Sequence, residues 1–354
     1  MKTHAIIPIF IPHKGCPNDC VFCNQKRITS RSDDVTPTTA RNTIEQHLAT
    51  LEAMRLEAVE LAFFGGSFTG LELDEQRSFL ALAKEYKDAG RIDSIHLSTR
   101  PDYINEEILD NLKAFDVDVI ELGVQSFDEE VLRLSGRGHD AACVYSSSRL
   151  IKDYGFSLGI QLMIGLPGDS MEKCIYSARE AVSLAPDIAR LYPTVVIKET
   201  ALYEAYMAGS YMPLDESEAV LRTKAMYEIL DAAGINIIRV GLKSGEIISS
   251  EKGFHPAFRQ LVEGLIARER LESELLTAAE KLSACGSQSA TAAAEPLCGE
   301  QRVLFISNEK CYNNMFGHCA VNRRYFEEKY PSLRISYCTA QNLRNNEYKV
   351  EFQP

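Results

Sequence analysis

With 354 residues, 45% of them hydrophobic, the chain is long enough to bury one large core and a second, smaller one. Its net charge of −12 excludes a general attraction to nucleic acid, which is ordinarily met by clustered Lys and Arg. Ten cysteines, behind a start without a basic, apolar and small-residue leader pattern, predict reduced thiols in the cytoplasm rather than a secreted disulfide framework. Ile6 to Ile11, broken by Pro8, is too short to cross a membrane.

Along the chain, short β-branched runs alternate with longer amphipathic ones. Strands are predicted at Ala5 to Ile11, Ala58 to Phe64, Ser94 to Ser98, Val117 to Leu122, Ser157 to Ile164, Ile188 to Tyr192 and Ile235 to Val240. Helices are predicted between them at Thr38 to Met54, Asp74 to Asp88, Glu106 to Ala114, Asp140 to Tyr154, Met171 to Leu184 and Glu216 to Ala233. This alternation predicts an α/β fold, a parallel sheet wrapped by helices and either open or curled into a partial or full (β/α) barrel. In either form the working groups belong at the carboxyl ends of the strands. A long helix follows at His255 to Leu282, then an Ala/Ser-rich stretch from Ala284 to Gly299. The chain closes with a small α+β module, with strands Arg302 to Ser307, Leu333 to Tyr337 and Tyr348 to Phe352 and a helix at Val321 to Tyr330. The expected division is a core domain over residues 1–250 and a helical linker with a C-terminal module over 251–354.

The first strand leads into Cys16-Pro17-Asn18-Asp19-Cys20-Val21-Phe22-Cys23, three thiols spaced C-x3-C-x2-C. Three thiolates fill three corners of a cubane iron-sulfur cluster and leave one iron open to a ligand. A zinc site would call for a fourth Cys or His, with His13 the near candidate. The second strand ends in Gly65-Gly66-Ser67, where paired glycines let backbone approach a ligand. Gln161 interrupts an apolar strand, so its amide calls for a partner in ligand or backbone. Lys14, Lys26, Arg27 and Arg31 cluster around the cysteine loop, with Arg239 and Lys243 near the end of the last strand. Cys311, His318 and Cys319 are poorly spaced for a second metal and read as reduced, partly buried residues, as do Cys143, Cys174, Cys285, Cys298 and Cys338.

The cysteine spacing resembles that of the radical S-adenosylmethionine superfamily. The segments Ser98-Thr99-Arg100-Pro101-Asp102-Tyr103-Ile104, Glu121-Leu122-Gly123-Val124-Gln125-Ser126, Arg137-Gly138-His139, Leu191-Tyr192-Pro193-Thr194 and Thr200-Ala201-Leu202-Tyr203 resemble the radical domain of the Elongator protein 3 family. The resemblance runs over roughly residues 5 to 260. It implies a 4Fe-4S cluster on Cys16, Cys20 and Cys23 and S-adenosylmethionine as second cofactor. It places Gly65, Gly66 and Ser67 at the methionine end. A more distant resemblance of the same region to oxygen-independent coproporphyrinogen oxidases implies Ser98 by the amino group, Arg137 by the carboxylate, and Gln125 and Gln161 at the ribose. Ser98 and Gln161 stand where that comparison has carboxylates, and Glu199 where the Elongator-like pattern has glycine.

The implied activity is reductive cleavage of S-adenosylmethionine to a 5′-deoxyadenosyl radical for transfer RNA modification, with electrons from a flavodoxin or ferredoxin and no membrane partner. The segment after residue 260 is too short for the acetyltransferase-like domain of that family. Two alternatives stand beside this reading. One is a radical enzyme acting on a small tetrapyrrole-like molecule, and the other is a non-catalytic iron-sulfur protein that binds RNA or transfers electrons.

Overall fold

The computed structural model describes residues 4–11, 16, 20–24, 35–51, 54, 56–243, 251–285 and 301–353. His13, Lys14, Lys26, Arg27, Arg31 and Cys298, and most of the Ala/Ser-rich stretch, lie outside the described residues. The chain divides into two compact units, Met1–Pro256 and Ala257–Pro354.

The first unit holds seven strands: β1 (His4–Ile11), β2 (Ala58–Gly65), β3 (Ser94–Thr99), β4 (Val119–Gln125), β5 (Ser157–Ile164), β6 (Ile188–Pro193) and β7 (Asn236–Val240). They pair in sequence order, every pair parallel, into one sheet curled as a half-barrel whose first and last strands do not pair. The connecting helices are α1 (Pro37–Leu51), α2 (Leu73–Asp88), α3 (Glu106–Ala114), α4 (Glu129–Leu134), α5 (Ala141–Asp153), α6 (Met171–Ser183), α7 (Ala201–Met207) and α8 (Glu216–Ala232).

Side chains alternate across a strand, so each strand sends every second residue toward the helices. On that face Leu61, Phe63, Leu97, Ile120, Leu122, Leu158, Ile160 and Leu191 are buried and wholly apolar. The helices begin where capping predicts. Asn105, Asp128, Asp140, Ser170, Thr200 and Asp215 each accept the backbone N–H three residues on. Two of these caps open α4 and α7, six and seven residues long, which are too short to show a helical period and were not predicted.

The second unit packs the long helix α9 (Phe258–Cys285) and α11 (Val321–Lys329), with the unpredicted short α10 (Tyr312–Phe316), around a three-stranded sheet. In that sheet β8 (Gln301–Ser307) lies between antiparallel β10 (Lys349–Gln353) and parallel β9 (Leu333–Thr339). Leu271, Phe305, Met315 and Phe326 form its core. Cys311 is buried there and its Sγ accepts the Asn346 N–H at 3.2 Å, whereas Cys319 is exposed and His318 Nδ1 meets Gln260 Oε1 at 3.1 Å. Among the described residues no helix is long and apolar enough to cross a membrane.

Candidate active site

The cysteine loop leaves β1 at its carboxyl end. Cys20 is buried, and Cys16 and Cys23 are half-buried. The Cys23 N–H closes a turn on the Cys20 carbonyl at 2.9 Å. Two distant segments then hold the loop: the Val21 N–H donates to Ser135 O at 3.1 Å, and the Leu202 N–H donates to Val21 O at 2.7 Å. Arg137 adds a third tie, donating from Nη1 to Cys20 Sγ at 3.3 Å. Among the described residues no three His, Cys, Asp or Glu side chains gather tightly enough for a single metal ion. A cubane sets each thiolate on its own iron, so it asks for a wider spread than one ion does.

The glycine pair at the end of β2 does structural service first. Gly65 has φ +118°, and a Cβ there would stand 2.7 Å from the Ile11 carbonyl oxygen, which also accepts the Gly66 N–H at 2.9 Å. No side chain fits at 65 without moving the root of the cysteine loop. Gly65→Ala is therefore expected to destabilise the protein by roughly 1–3 kcal/mol, read as a lowered urea midpoint. An unchanged midpoint would refute the close approach.

Ser67 is fully buried, shares a hydrogen bond with Thr99 Oγ1 at 2.7 Å and accepts the Arg100 N–H at 3.1 Å. Its hydroxyl is thus spent on joining the ends of β2 and β3. Ser98 is half-buried and reaches Phe63 O at 3.4 Å, and it lines a narrow crevice with Gly66, Ser67, Phe64 and Ile11.

At the end of β4 the register with β5 shifts between Gly123 and Gln125, and Gln125 adopts a left-handed φ of +72°. That conformation costs a non-glycine residue about 1–2 kcal/mol. It brings the Gln125 side chain over Gly123, where an added Cβ would stand 3.1 Å from Nε2. Gln161 Nε2 donates to Gln125 Oε1 at 3.1 Å, so its amide meets a side chain from the neighbouring strand. Arg137 donates from Nη2 to Gly123 O. The structure thus brings Cys20, Gly123, Gln125, Arg137 and Gln161 into one connected group, with Gly65, Ser67 and Ser98 on the neighbouring strand ends. Arg239 bonds Gly241 O near the end of β7 and takes no part in that group.

His139 follows Arg137 and lies against the same bulge, its Nε2–H donating to Val124 O at 3.3 Å. Burial first, then the charges of Arg137 and Arg100, push its pKa down to about 4. The unfolded chain binds this proton at higher pH, so native stability falls as pH drops from 6.5 toward 4. Replacing His139 with Asn is expected to remove up to about 3 kcal/mol of that pH dependence. Urea melts at pH 4.5 and pH 7 would measure it, and an unaltered difference between them would refute it.

Deeper in the half-barrel lies a group that motif reading passes over. His96 Nδ1 is 2.9 Å from Glu60 Oε1, and its Nε2 is 3.6 Å from Glu121 Oε2. Arg190 Nε is 2.7 Å from the same Glu121 oxygen, while its guanidinium covers Phe64 at 4.6 Å and reaches the Tyr192 hydroxyl at 3.3 Å. Gly159 makes room for Glu121, since a Cβ there would be 3.0 Å from Glu121 Cβ. Burial penalises the His96 and Glu121 charges, but their ionic partners outweigh it, raising His96 and lowering Glu121. The signal was present in the sequence as one charged residue inside each of four apolar strands, all on the inward register.

Comparison with known proteins agrees with this architecture. Residues 10–181 match the Radical SAM superfamily model, and residues 186–268 match the Radical SAM C-terminal domain model. The chain is 30% identical over 184 residues, 46% of this chain and 34% of the relative, to a tRNA uridine(34) acetyltransferase of Methanocaldococcus infernus. It is 38% identical over 138 residues, 37% of this chain and 25% of the relative, to human Elongator complex protein 3. A tRNA uridine(34) acetyltransferase of Dehalococcoides mccartyi is 28% identical over 243 residues, 59% of this chain and 53% of the relative. The chain therefore spans between a quarter and about half of these relatives' lengths. The solved structure of the archaeal Methanocaldococcus infernus Elp3 with its N-terminus deleted shares the fold, with a TM-score of 0.54 and 22% identity over 69% of this chain and 61% of that one.

The donor set fits the superfamily's cofactors, a 4Fe-4S cluster and S-adenosylmethionine. Among the described residues the three thiols form no disulfide, Cys20 is buried, and the Arg100 Nη1 and Arg137 Nε are buried without a hydrogen-bond partner. The cysteine loop at the end of β1, the polar strand ends beside it and the two family matches place this chain in the radical S-adenosylmethionine superfamily.

Proposed function

We propose that the chain cleaves S-adenosylmethionine reductively and directs the resulting radical at RNA, with transfer RNA uridine as the substrate class. The cofactors supply bond homolysis and a hydrogen-abstracting radical when bound. The chain's own residues hold and orient. Cys16, Cys20 and Cys23 ligate iron, Gly65, Gly66, Ser67 and Ser98 border the methionine end, and Gln125, Arg137 and Gln161 secure the rest. Arg137 ties Cys20 Sγ and Gly123 O through its two terminal nitrogens, which fixes its guanidinium beside the cysteine loop.

The carrying observation is the group of Gln125, Gln161 and Arg137 at the strand ends, tied to the cysteine loop through Arg137 and Cys20, which a protein using the cluster alone would not need. The RNA part rests on the relatives' names. We place the reaction in the cytoplasm, with a flavodoxin- or ferredoxin-type electron donor. The test is anaerobic: the reconstituted protein with dithionite, S-adenosylmethionine and unmodified transfer RNA, with and without acetyl-coenzyme A, followed by nucleoside mass spectrometry. A new uridine derivative together with 5′-deoxyadenosine supports the proposal. Deoxyadenosine that forms at the same rate without RNA, and no new nucleoside, would overturn the RNA assignment.

A further inference from the structure

Two arginines flank the cysteine loop, and their surroundings differ from those of ordinary ion-paired surface residues. Arg137 is 5% exposed and Arg100 only 3%. Arg137 spends Nη1 on Cys20 Sγ and Nη2 on Gly123 O, and among the described residues its Nε is buried with no partner. Arg100 clasps Asp102 through Nε at 2.9 Å and Nη2 at 2.7 Å, and among the described residues its Nη1 is buried with no partner. Negative charge at Cys16 or Cys20 would favour the Arg100 cation. The third basic group there, His139, is held neutral by burial and by these same arginines.

A protein does not bury two cations with idle N–H groups beside a loop of thiols unless negative charge collects there. Asp102 balances Arg100 only in part, because its side chain is 27% exposed, nine times the exposure of the arginine, and water screens it. The buried member of the pair is the positive one.

We propose that Arg100 and Arg137 set the reduction potential of the cluster on Cys16, Cys20 and Cys23, with Asp102 as a counterweight to Arg100. Reduction adds one electron, taken from dithionite in the test or from a flavodoxin-type donor, and makes no bond to protein. Arg137 bonds a cluster thiol directly and Arg100 is the more buried member of its pair, so added negative charge at the cysteines is favoured by the cations and opposed by Asp102 through a more screened interaction. The inference rests on the cofactor assignment and stands whatever the substrate is.

The experiment is a redox titration of the reconstituted protein without substrate, following the reduced cluster by electron paramagnetic resonance and normalising to bound iron. Arg100→Gln is expected to lower the reduced-to-oxidised ratio at fixed potential about tenfold, which is ~59 mV for a one-electron couple. Asp102→Asn is expected to raise the ratio, and Arg137→Lys, which keeps the charge, to leave it within a factor of three. The opposite signs at 100 and 102 separate electrostatic tuning from a general loosening of the loop, which would move both variants the same way. Potentials that do not change, or that shift in one direction in both variants, would overturn the proposal. If Arg100→Gln fails to hold iron, the sign of the Asp102→Asn shift decides.

Discussion

Replacing Cys20 with alanine is expected to abolish cluster binding and, with it, 5′-deoxyadenosine formation. Cys20 is the buried thiol of the three, it closes the turn that positions Cys23, and it accepts the Arg137 guanidinium. The variant therefore loses one of three protein ligands and leaves a buried cation facing a methyl group. Loss of an outer-shell partner alone typically costs about 10–100-fold in metal affinity, so the loss of a ligand should cost more. Iron content and visible absorbance after anaerobic reconstitution measure the effect, with Cys338→Ser as the control that keeps both. A Cys20→Ala protein that holds four irons per chain would remove the cluster from this loop.

The second large effect is expected from Glu121→Leu. Glu121 is 2% exposed and stands between His96 and Arg190, so its removal takes the carboxylate from a buried guanidinium and leaves the buried His96 with Glu60 alone. Breaking a buried ionic group in this way costs about 3–5 kcal/mol, a fall in Tm on the order of 10 °C for a unit of this size. The pH profile gives a second signature. His96 is raised above its usual 6.5, so its stabilisation is complete below 6.5 and is lost as pH rises through the higher, folded value. Glu121 is lowered below its usual 4.5, so its share is present above 4.5 and is lost as pH falls through the lower value. The native protein should therefore be most stable between these two windows, and the variant should lose both slopes. A Glu121→Leu protein that melts like the parent would mean that the quartet contributes nothing net.

Most of the sheet could be read from the chain because its strands are short, largely β-branched and aliphatic runs, and β5 spans Ser157–Ile164 as predicted. The small helices α4 and α7 escaped because six or seven residues do not display a period, although Asp128 and Thr200 announce them. The site was legible as motifs but not as geometry. Gln125 and Gln161 are 36 residues apart in sequence, and only the bulge after Gly123 brings them to 3.1 Å. Glu60, His96 and Arg190 were invisible for a different reason. A lone charge in an apolar strand is identified as part of a network only when the strand register is known, and the register comes from the folded sheet.

The ties that hold the cysteine loop also bear on when iron can be loaded. The three thiols leave the ribosome well before Ser135, Arg137 and Leu202, the residues that fasten their loop. At usual elongation rates the interval is on the order of ten seconds. Until Leu202 has emerged and α7 has folded, the thiols sit on a nascent chain with nothing to shape them. Cluster insertion is then a late event in the life of the polypeptide, and a chain truncated before residue 202 would carry all its ligands and still have no assembled site to receive the metal.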